Sequence, residues 1–238
     1  MEIFGLIGEK LEHSFSKKYF NKKFSKLGLH ENKYENFEIN SLENLKKILS
    51  KNNIKGLNVT IPFKKIIIPL LDKISDEAKE INAVNTIKIV NGQTIGFNTD
   101  ITGFEKSIDK EIDNRKKAII LGDGGASNAI KYVLEKKKIE CVIVSRKGKI
   151  NYHSLHDDII KESDLIINTT PLGTFPKISL FPNINYKILN EKHLLYDLVY
   201  NPKLTVFLKK GLERGCKVKN GYEMLEIQAE ESWKIWNN

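Results

Sequence analysis

KAIILGDGGASNAIKYVLEKK, residues 117–137, carries the strongest indication of a fold class in this sequence. The apolar run AIIL leads into a glycine-rich turn, GDGGAS at 122–127, and an amphipathic stretch follows. This order predicts a buried strand, a tight turn and a helix. In that setting the glycines let the backbone approach a pyrophosphate, and the amide groups at the helix start receive its charge. Ser127 replaces the last glycine of the G-x-G-x-x-G pattern but is small enough for close helix–strand packing. An ordinary strand–helix turn without a ligand is the alternative.

The next predicted strand, CVIVS, ends in basic residues. A unit that binds NAD usually places an acidic residue there, about 20 residues after the glycine turn, to hold the ribose hydroxyls. Here Ser145, Arg146 and Lys147 occupy the place. Because a guanidinium binds a phosphate through two parallel hydrogen bonds, the sequence favours NADP, with its 2′-phosphate, over NAD. Loop cations without a ligand are the alternative.

Strand and helix patterns alternate along nearly the whole chain, which predicts an α/β protein with parallel sheets. Asn91-Gly92 lies between two strand-like runs and favours a hairpin, since both residues tolerate positive φ. We expect two domains. An N-terminal α/β substrate domain would span 1–100 and be joined by the C-terminal helix 222–238. A Rossmann-like, doubly wound dinucleotide-binding domain would span 101–221.

Composition and charge describe a globular protein of enzyme size. The 238 residues are 40% hydrophobic and 29% charged, and the net charge is +9 from 39 basic and 30 acidic residues. A nucleic-acid binder is one interpretation of this charge. However, the lysines are spread along the chain and mixed with acids, so we expect no nucleic-acid partner and an attraction for small anionic substrates.

The sequence shows no clear pattern of a targeting segment, a membrane span or a metal site. The apolar stretch at the N-terminus is too short for a signal peptide or a membrane span, so we expect no membrane association. Cys141 and Cys216 show no metal-ligand spacing, and we expect no metal site. Few cysteines in a chain of this length suit a reducing compartment, which predicts a cytoplasmic protein. The sequence leaves a monomer and a homodimer both open.

GLNVTIPFKK, residues 56–65, begins like a buried strand and then presents polar residues. Asn58, Thr60 and Lys64 stand around Pro62. The simplest interpretation is a strand that surfaces, with solvated lysines after it. For Asn58 we favour a role in bracing loop backbone.

Separated stretches, in order, resemble one family, the shikimate dehydrogenases. They are HSFS (13–16), GLNVTIPFK (56–64), AVNT (83–86), FNTD (97–100), GDGGAS (122–127), NTTPLG (168–173), DLVYNP (197–202) and GYEMLEIQA (221–229). Any one of these motifs is unspecific, whereas the ordered set is specific. The resemblance implies NADPH-dependent reversible reduction of 3-dehydroshikimate to shikimate, a step toward aromatic amino acids.

The resemblance assigns roles position by position. Lys64 would be the catalytic residue, with Asp100 holding its ammonium group and a ring hydroxyl. Ser14 and Ser16 would hold the substrate carboxylate. The other substrate-binding positions are Thr60, Asn85, Tyr200 and Gln228. The cofactor-binding positions are Gly122, Asp123, Gly124, Gly125, Ala126, Ser145, Arg146, Lys147, Leu198 and Gly221, together with Asp76, for which we have no physical account.

Elementary chemistry agrees with these roles. Ketone reduction needs a hydride and a proton for the developing alkoxide, and an ammonium group stabilises that charge and donates the proton. Each residue also has a structural alternative. Ser14 and Ser16 would cap a helix, Tyr200 would be a core residue, and Gln228 would face solvent.

The chain also departs from the family pattern. Asp123 stands where alanine is usual and would weaken phosphate binding unless it faces solvent. Ser145-Arg146-Lys147 replaces a more typical Asn-Arg-Thr, and Phe20 stands where histidine is common. Two rival functions stay open: a related NADP enzyme that acts on quinate or another hydroxy acid, and a dinucleotide-binding regulatory module without turnover.

Overall fold

A computed structural model describes residues 1–12, 14–51, 53–112 and 114–238. His13 of the HSFS motif lies outside the described residues. Contacts divide the chain into two compact units, 1–99 with 229–238 and 100–228. Asp100 and residues 222–228, which the sequence analysis places with the N-terminal domain, therefore group with the second unit.

The first unit holds a six-stranded mixed sheet in the order β2-β1-β3-β5-β6-β4. Its elements are β1 Glu2–Gly8, α1 Phe15–Lys26, β2 Asn32–Glu38, α2 Leu42–Leu49, β3 Ile54–Val59, α3 Phe63–Ile66, β4 Lys73–Ile74, α4 Asp76–Glu80, β5 Thr86–Val90 and β6 Gln93–Phe97. β1 pairs in parallel with β2 and β3, while β5 is antiparallel to β3 and β6. The sheet is therefore only partly parallel. Asn91 and Gly92 form the expected hairpin with φ angles of 50° and 78°.

Apolar residues pack on both faces of the first sheet. Ile7 and Leu57 face a cluster that includes Leu45 of α2 and Phe63 of α3. On the other face, α1 packs with the end of the C-terminal helix in a cluster built largely of aromatic residues, among them Phe4, Phe20, Phe24, Tyr34 and Trp236. Gly56 permits this packing, because a Cβ there would lie 2.4 Å from the Trp236 ring.

The second unit contains a five-stranded, fully parallel sheet in the order β11-β10-β9-β7-β8. Its elements are α5 Asp100–Ile108, β7 Lys117–Leu121, α6 Gly125–Lys136, β8 Glu140–Val144, α7 Asp157–Glu162, β9 Leu165–Asn168, β10 Leu194–Asp197, α8 Val206–Leu212 and β11 Lys217–Asn220. The last helix, α9 Tyr222–Asn237, begins in this unit, and its residues from 229 onward belong to the first unit. The strand order reverses between β7 and β9. In open α/β sheets, ligands bind beyond the carboxyl ends of the strands at such a reversal.

Helices cover both faces of this sheet, as a doubly wound fold requires. Neighbouring residues of a strand point to opposite faces. Leu195 packs in a cluster with Ile160 of α7 and Phe207 of α8. The next residue, Tyr196, meets the ring of Phe104 in α5 edge-on at a centroid distance of 5.3 Å. The expected Rossmann-like fold class is confirmed.

Three short elements were not predicted from the sequence: β4, α7 and β11. Each carries charged residues and is too short to show a clear period. Among the described residues, no helix is both apolar and long enough to cross a membrane. In the same residues we find no cluster of His, Cys, Asp and Glu that could hold a metal ion. Cys141 and Cys216 are free thiols.

Asp197, at the carboxyl end of β10, is a fully buried acid that joins two loops. One carboxylate oxygen accepts from Asn168 Nδ2 at 2.9 Å and from Val199 N at 3.0 Å, and the other accepts from Thr205 Oγ1 at 2.6 Å. Burial raises the pKa of this carboxyl from its ordinary value of 3.8 to about 6, although the three donors act in the opposite direction. Asp197 thus ties the loop after β10 to the end of β9.

The raised pKa predicts a pH-dependent stability. Between the unfolded and folded pKa values, the folded protein keeps a proton on Asp197 that the unfolded chain has lost. The resulting stabilisation is complete below the unfolded pKa and disappears as pH rises through about 6. We expect Asp197→Asn to remove roughly 2–3 kcal/mol of this pH-dependent change in unfolding free energy, measured by denaturant titration between pH 4 and 7.

The control is Asp158→Asn, since the Asp158 side chain on α7 is 82% exposed. This variant should keep the pH profile of the unmodified protein. Identical pH profiles for Asp197→Asn and the unmodified protein would contradict the assignment.

Candidate active site

Thr60 and Lys64 lie just beyond the carboxyl end of β3 in a backbone that is fixed on two sides. Thr60 N donates to Ile7 O of β1 at 2.9 Å, and Val84 N donates to Lys64 O at 2.8 Å. Pro62 occupies the N-cap position of α3. Lys64 is half-buried and Lys65 is exposed. The two neighbouring lysines therefore differ in exposure, and the catalytic role of Lys64 stays a prediction.

Ser14 and Ser16 stand at the start of α1, and the structure separates their roles. Ser14 is the N-cap residue, and its Oγ accepts from Lys17 N at 3.4 Å. This bond uses a lone pair, so the hydroxyl proton can still be donated to a carboxylate. Ser16 is buried close to Tyr34, where burial raises the pKa of the phenol and the Ser16 hydroxyl lowers it. Capping and ligand binding are thus compatible at Ser14.

The carboxamide of Asn85, just before β5, is held by internal donors. Its Oδ1 accepts from Thr99 N at 2.7 Å, Thr86 Oγ1 at 3.0 Å and Thr99 Oγ1 at 3.2 Å. Its backbone oxygen accepts from Val59 N at 2.8 Å. Asn85 is only 3% exposed. Both the position of the residue and the orientation of its amide are therefore determined within the first unit.

Asp76 belongs to the first unit and is exposed at the first turn of α4, after the capping residue Ser75. A carboxylate at this place stabilises the helix through its dipole. The structure therefore gives Asp76 an ordinary helical role, and its link to the cofactor stays a prediction.

In the second unit, Asp100 and Gln228 lie on helices that approach closely. Asp100 is buried at the start of α5, and Gln228 is half-buried on α9. Gly103 of α5 makes the approach possible, because a Cβ there would lie 2.9 Å from Met224 O and 3.0 Å from Gln228 Cβ. Tyr200 is half-buried in the loop after β10. The pairing of Asp100 with Lys64 stays a prediction.

The glycine turn has the backbone conformation that its sequence suggests. Gly122 has a φ of 118°, and a Cβ there would lie 2.5 Å from Thr169 Oγ1. Gly124 caps α6 and faces open space, since a Cβ on it would meet nothing within 4 Å. Ser127 is buried and donates to Gly122 O at 2.8 Å, which ties the helix to the turn. Asp123 is exposed to solvent. This is the arrangement in which its charge would not weaken phosphate binding.

The end of β8 presents one buried hydroxyl and two exposed cations. Ser145 is 3% exposed, and its Oγ has no hydrogen-bond partner among the described residues. Arg146 and Lys147 are exposed. Burial raises the pKa of the Tyr152 phenol, while Arg146 lowers it and Asp123 raises it. The glycine turn and the end of β8 therefore lie near the same residue.

Leu198 and Gly221 meet at the far side of the same sheet edge. A Cβ on Gly221 would lie 2.2 Å from Leu198 O, so no other residue fits there without a shift of the backbone. Leu198 N donates to Asn168 O at 3.0 Å, and Gly221 N donates to Val199 O at 3.2 Å. The first bond fixes the loop after β10 to the end of β9, and the second fixes it to the residue that follows β11.

The residues at this edge fit NADP in three respects. The turn before α6 is open and has glycines where a phosphate would approach. The exposed cations after β8 suit a 2′-phosphate. The buried Ser145 Oγ has none of the described residues as a hydrogen-bond partner, although buried polar atoms normally have one. The glycine-rich edge thus offers a dinucleotide the donors it needs.

Sequence reasoning missed Asp197, Tyr152 and Ser232. Asp197 ends an apolar strand. A charged residue at that place indicates a buried acid, but the sequence analysis uses Asp197 only as part of the DLVYNP motif. Tyr152 lies in a loop, and its position near Arg146 and Asp123 depends on folding. Ser232 stands among charged residues in the sequence, yet it is fully buried.

Comparisons with known proteins point to one family. The family model described as the shikimate dehydrogenase substrate binding domain matches residues 6–87. A curated shikimate dehydrogenase (NADP(+)) from Clostridium beijerinckii is 42% identical over 251 residues, which cover 99% of this chain and 92% of that protein.

Solved structures show the same likeness. Shikimate dehydrogenase from Aquifex aeolicus has a TM-score of 0.90 and 36% identity, covering 100% of this chain and 92% of that one. Shikimate 5-dehydrogenase from Thermus thermophilus, in complex with NADP(H) and shikimate, has a TM-score of 0.88 and 30% identity. The match covers 99% of this chain and 93% of that one. Identity of this extent over nearly the full length of both chains goes beyond a shared fold, and the chain belongs to the shikimate dehydrogenase family.

Proposed function

We propose that this protein catalyses the reversible, NADPH-dependent reduction of 3-dehydroshikimate to shikimate. The observation that carries the proposal is 42% identity, over 99% of the chain, with a curated NADP(+)-dependent shikimate dehydrogenase. The Thermus thermophilus relative was solved with both NADP(H) and shikimate. An assay that follows NADPH oxidation with purified protein and 3-dehydroshikimate tests it directly. Quinate in the same assay separates the related hydroxy-acid activity, and NADP binding without turnover would indicate the regulatory alternative.

We assign to Lys64 the donation of the proton that the reduced ketone oxygen needs. NADPH, when bound, supplies the hydride. Reduction of the ketone places negative charge on its oxygen, and the ammonium group of Lys64 stabilises that charge and donates the proton. Its half-buried position strengthens the electrostatic effect relative to an exposed lysine. Lys65, which is exposed, has no role in the reaction.

Substrate binding is proposed to rest on hydroxyl, amide and carboxylate groups. Ser14 and Ser16 hold the ring carboxylate. The carboxylate or the ring hydroxyls are bound by Thr60, Asn85, Asp100, Tyr200 and Gln228. Support comes from the fixed orientation of Asn85 and from the unused hydroxyl proton of the Ser14 cap.

The cofactor is proposed to bind along the carboxyl edge of the second sheet. The pyrophosphate approaches Gly122–Ala126 and the start of α6, which is long enough to present a developed dipole. Ser145, Arg146 and Lys147 receive the 2′-phosphate, while Leu198 and Gly221 lie near the nicotinamide. A cytoplasmic location, a monomeric or homodimeric state and the lack of a nucleic-acid partner complete the proposal.

Arg146→Ala should weaken NADP selectively. Loss of a charge-assisted hydrogen bond costs about 1–3 kcal/mol, or roughly 5- to 150-fold in KM for NADP. The KM for NAD should change little, since NAD lacks the 2′-phosphate. Steady-state kinetics with both cofactors measure the difference.

Lys149→Ala provides the matched control, because Lys149 is another exposed cation of the same loop. It should leave both KM values near those of the unmodified protein. Equal kcat/KM for NADP and NAD in the unmodified protein would defeat the cofactor assignment.

Replacing Ser14 and Ser16 together by Ala should raise the KM for shikimate by more than about tenfold, the effect of one lost interaction of 1.4 kcal/mol. The KM for NADP should stay within a factor of about two, because these residues belong to the substrate end. Initial-rate kinetics in the shikimate-oxidising direction give both constants.

Loss of a helix cap alone costs about 0.5–2 kcal/mol of stability, so the double variant needs a capping control. Ser41→Ala removes the cap of α2, where Ser41 Oγ accepts from Asn44 N at 3.3 Å. It should lower stability without changing either KM. If the double variant behaves in the same way, the serines only cap α1.

Lys64→Met keeps an unbranched side chain only one atom shorter and removes the charge and the proton. General acid groups contribute about 10²–10⁴-fold, so kcat should fall by that factor or more. The KM for shikimate should change by less than about tenfold. Single-turnover measurements would locate the loss in the chemical step.

Lys65→Met is the internal control and should retain most of the activity. A Lys64→Met enzyme with near-normal kcat, or a Lys65→Met enzyme equally inactive, would place the proton donor elsewhere.

A further inference from the structure

Tyr152 follows β8 in a loop that returns to the carboxyl edge of the second sheet. Ser145 N, just past the strand, donates to Ile150 O at 3.1 Å, and Ile150 forms a single parallel bridge with Val144, the last residue of β8. In a parallel bridge the two chains run in the same direction. The chain after Ile150 therefore continues beyond the end of β8, which places Tyr152 at the same edge as Arg146.

The backbone around Tyr152 is held in a turn. Asn151 Oδ1 accepts from His153 N at 2.9 Å and from Ser154 N at 3.1 Å, and Ser154 Oγ accepts from Asn151 N at 2.9 Å. A side chain that bonds the backbone two residues on stabilises a turn of this kind. The position of Tyr152 is thus fixed before any ligand binds.

The side chain of Tyr152 is half-buried. Its ring packs against the apolar cluster that includes Val144 and Ile160, and the rest of the side chain is accessible to solvent. Burial raises the pKa of the phenol, Arg146 lowers it and Asp123 raises it. A cation from the end of β8 and an anion from the glycine turn therefore both act on this one side chain.

The glycine turn and the end of β8 are the two places that the adenosine part of the proposed cofactor connects. The turn receives the pyrophosphate, and the basic residues after β8 receive the ribose with its 2′-phosphate. Adenine is bonded to that same ribose, so the base lies next to both places. Tyr152 presents an aromatic ring there, and nucleobases bind to aromatic side chains by stacking on them.

We propose that the ring of Tyr152 forms the platform on which the adenine of the cofactor stacks. Arg146 and Lys147 recognise the 2′-phosphate, which only NADP carries, whereas Tyr152 binds the base that NADP and NAD share. The inference rests on the proposed function, because it concerns the cofactor assigned there. Since the two contributions involve different parts of the cofactor, they can be measured separately.

Tyr152→Leu keeps an apolar side chain on the cluster and removes the aromatic face. We expect the Kd for adenosine 2′,5′-bisphosphate, measured by calorimetric titration of the full chain, to rise by about fivefold or more, as for the loss of one base–aromatic stack. The KM values for NADP and NAD should rise by the same factor, while the KM for shikimate stays within about twofold. Arg146→Ala, in contrast, should affect NADP alone.

Tyr152→Phe and Leu155→Ala are the matched controls. Tyr152→Phe keeps the ring and loses only the hydroxyl, so the Kd should stay within about twofold. Leu155 is half-buried in the same loop and packs against the same cluster. Leu155→Ala should lower the melting temperature and leave the Kd for the bisphosphate unchanged. If Tyr152 only packs against the cluster, Tyr152→Leu will behave as Leu155→Ala does, and the inference is wrong.

A second measurement does not require Tyr152→Leu to fold. In the unmodified protein with isotope-labelled tyrosines, the resonances of the Tyr152 ring are identified by their absence from Tyr152→Phe. They should shift upfield when adenosine 2′,5′-bisphosphate is added, because a stacked purine shields the ring that faces it. Tyr152 resonances that do not move at saturating ligand would overturn the inference.

The outcomes separate this inference from the proposed function. Normal turnover with an unchanged Kd in Tyr152→Leu overturns the inference and leaves the function intact. An effect of Tyr152→Leu on NADP alone overturns it as well, since both cofactors carry the base. Binding of the bisphosphate that depends on Tyr152, without reduction of 3-dehydroshikimate, overturns the function and supports the inference. No binding of either the bisphosphate or NADP overturns both.

Discussion

Parallel pairing in register is the constraint on which the second unit depends. Leu121 pairs with Val144 and with Asn168, and Asp197 pairs with Asn168 and with Asn220. The strand ends are therefore level, and every loop that follows a strand begins at one edge. Residues far apart in sequence become neighbours there for a geometric reason. The reversal of strand order beside β7 then leaves the glycine turn where a ligand can enter.

A different constraint shapes the first unit. Its sheet is mixed, so strand ends alone do not gather the polar residues. Instead, buried amides and hydroxyls satisfy one another beneath α1 and the end of α9. Asn58 bonds Tyr34 on one side and Ser232 on the other. Neutral groups suit this place, because a buried neutral group that keeps its hydrogen bonds costs far less than a buried charge.

The sequence predicts those features whose chemistry is local. The glycine turn before α6 and the Asn91-Gly92 hairpin follow from residues that allow unusual backbone angles. The fold class follows from alternating patterns, and the ordered motifs predict the family. β11 was missed because KVKN shows no apolar alternation and lies at the sheet edge. Its parallel pairing with β10 makes it a strand, although its own composition does not indicate one.

Individual site contacts were less predictable, because they depend on which side chains the fold brings together. Phe20, where histidine is common in the family, is fully buried and stacks on Tyr34 at a centroid distance of 4.6 Å. Phe20, in place of the histidine, therefore contributes to the packing of α1 on β2. Ser232 gave no signal in sequence, since a serine between acidic and aromatic residues suits many helices. Only its burial beside Thr86 and Thr99 distinguishes it.

The proposed substrate contacts also explain why a polyhydroxylated ring would be selected. An ionised carboxylate only accepts hydrogen bonds, whereas the Nδ2 end of an amide only donates. A hydroxyl satisfies both kinds of partner, because it donates one proton and accepts on two lone pairs. A site built to hydrogen-bond a hydroxyl therefore rejects an analogue that lacks it far more strongly than an apolar pocket rejects a change in volume. That discrimination requires the Asn85 amide to keep one orientation, and Thr99 N, which only donates, fixes that orientation within the first unit through its 2.7 Å bond to Asn85 Oδ1.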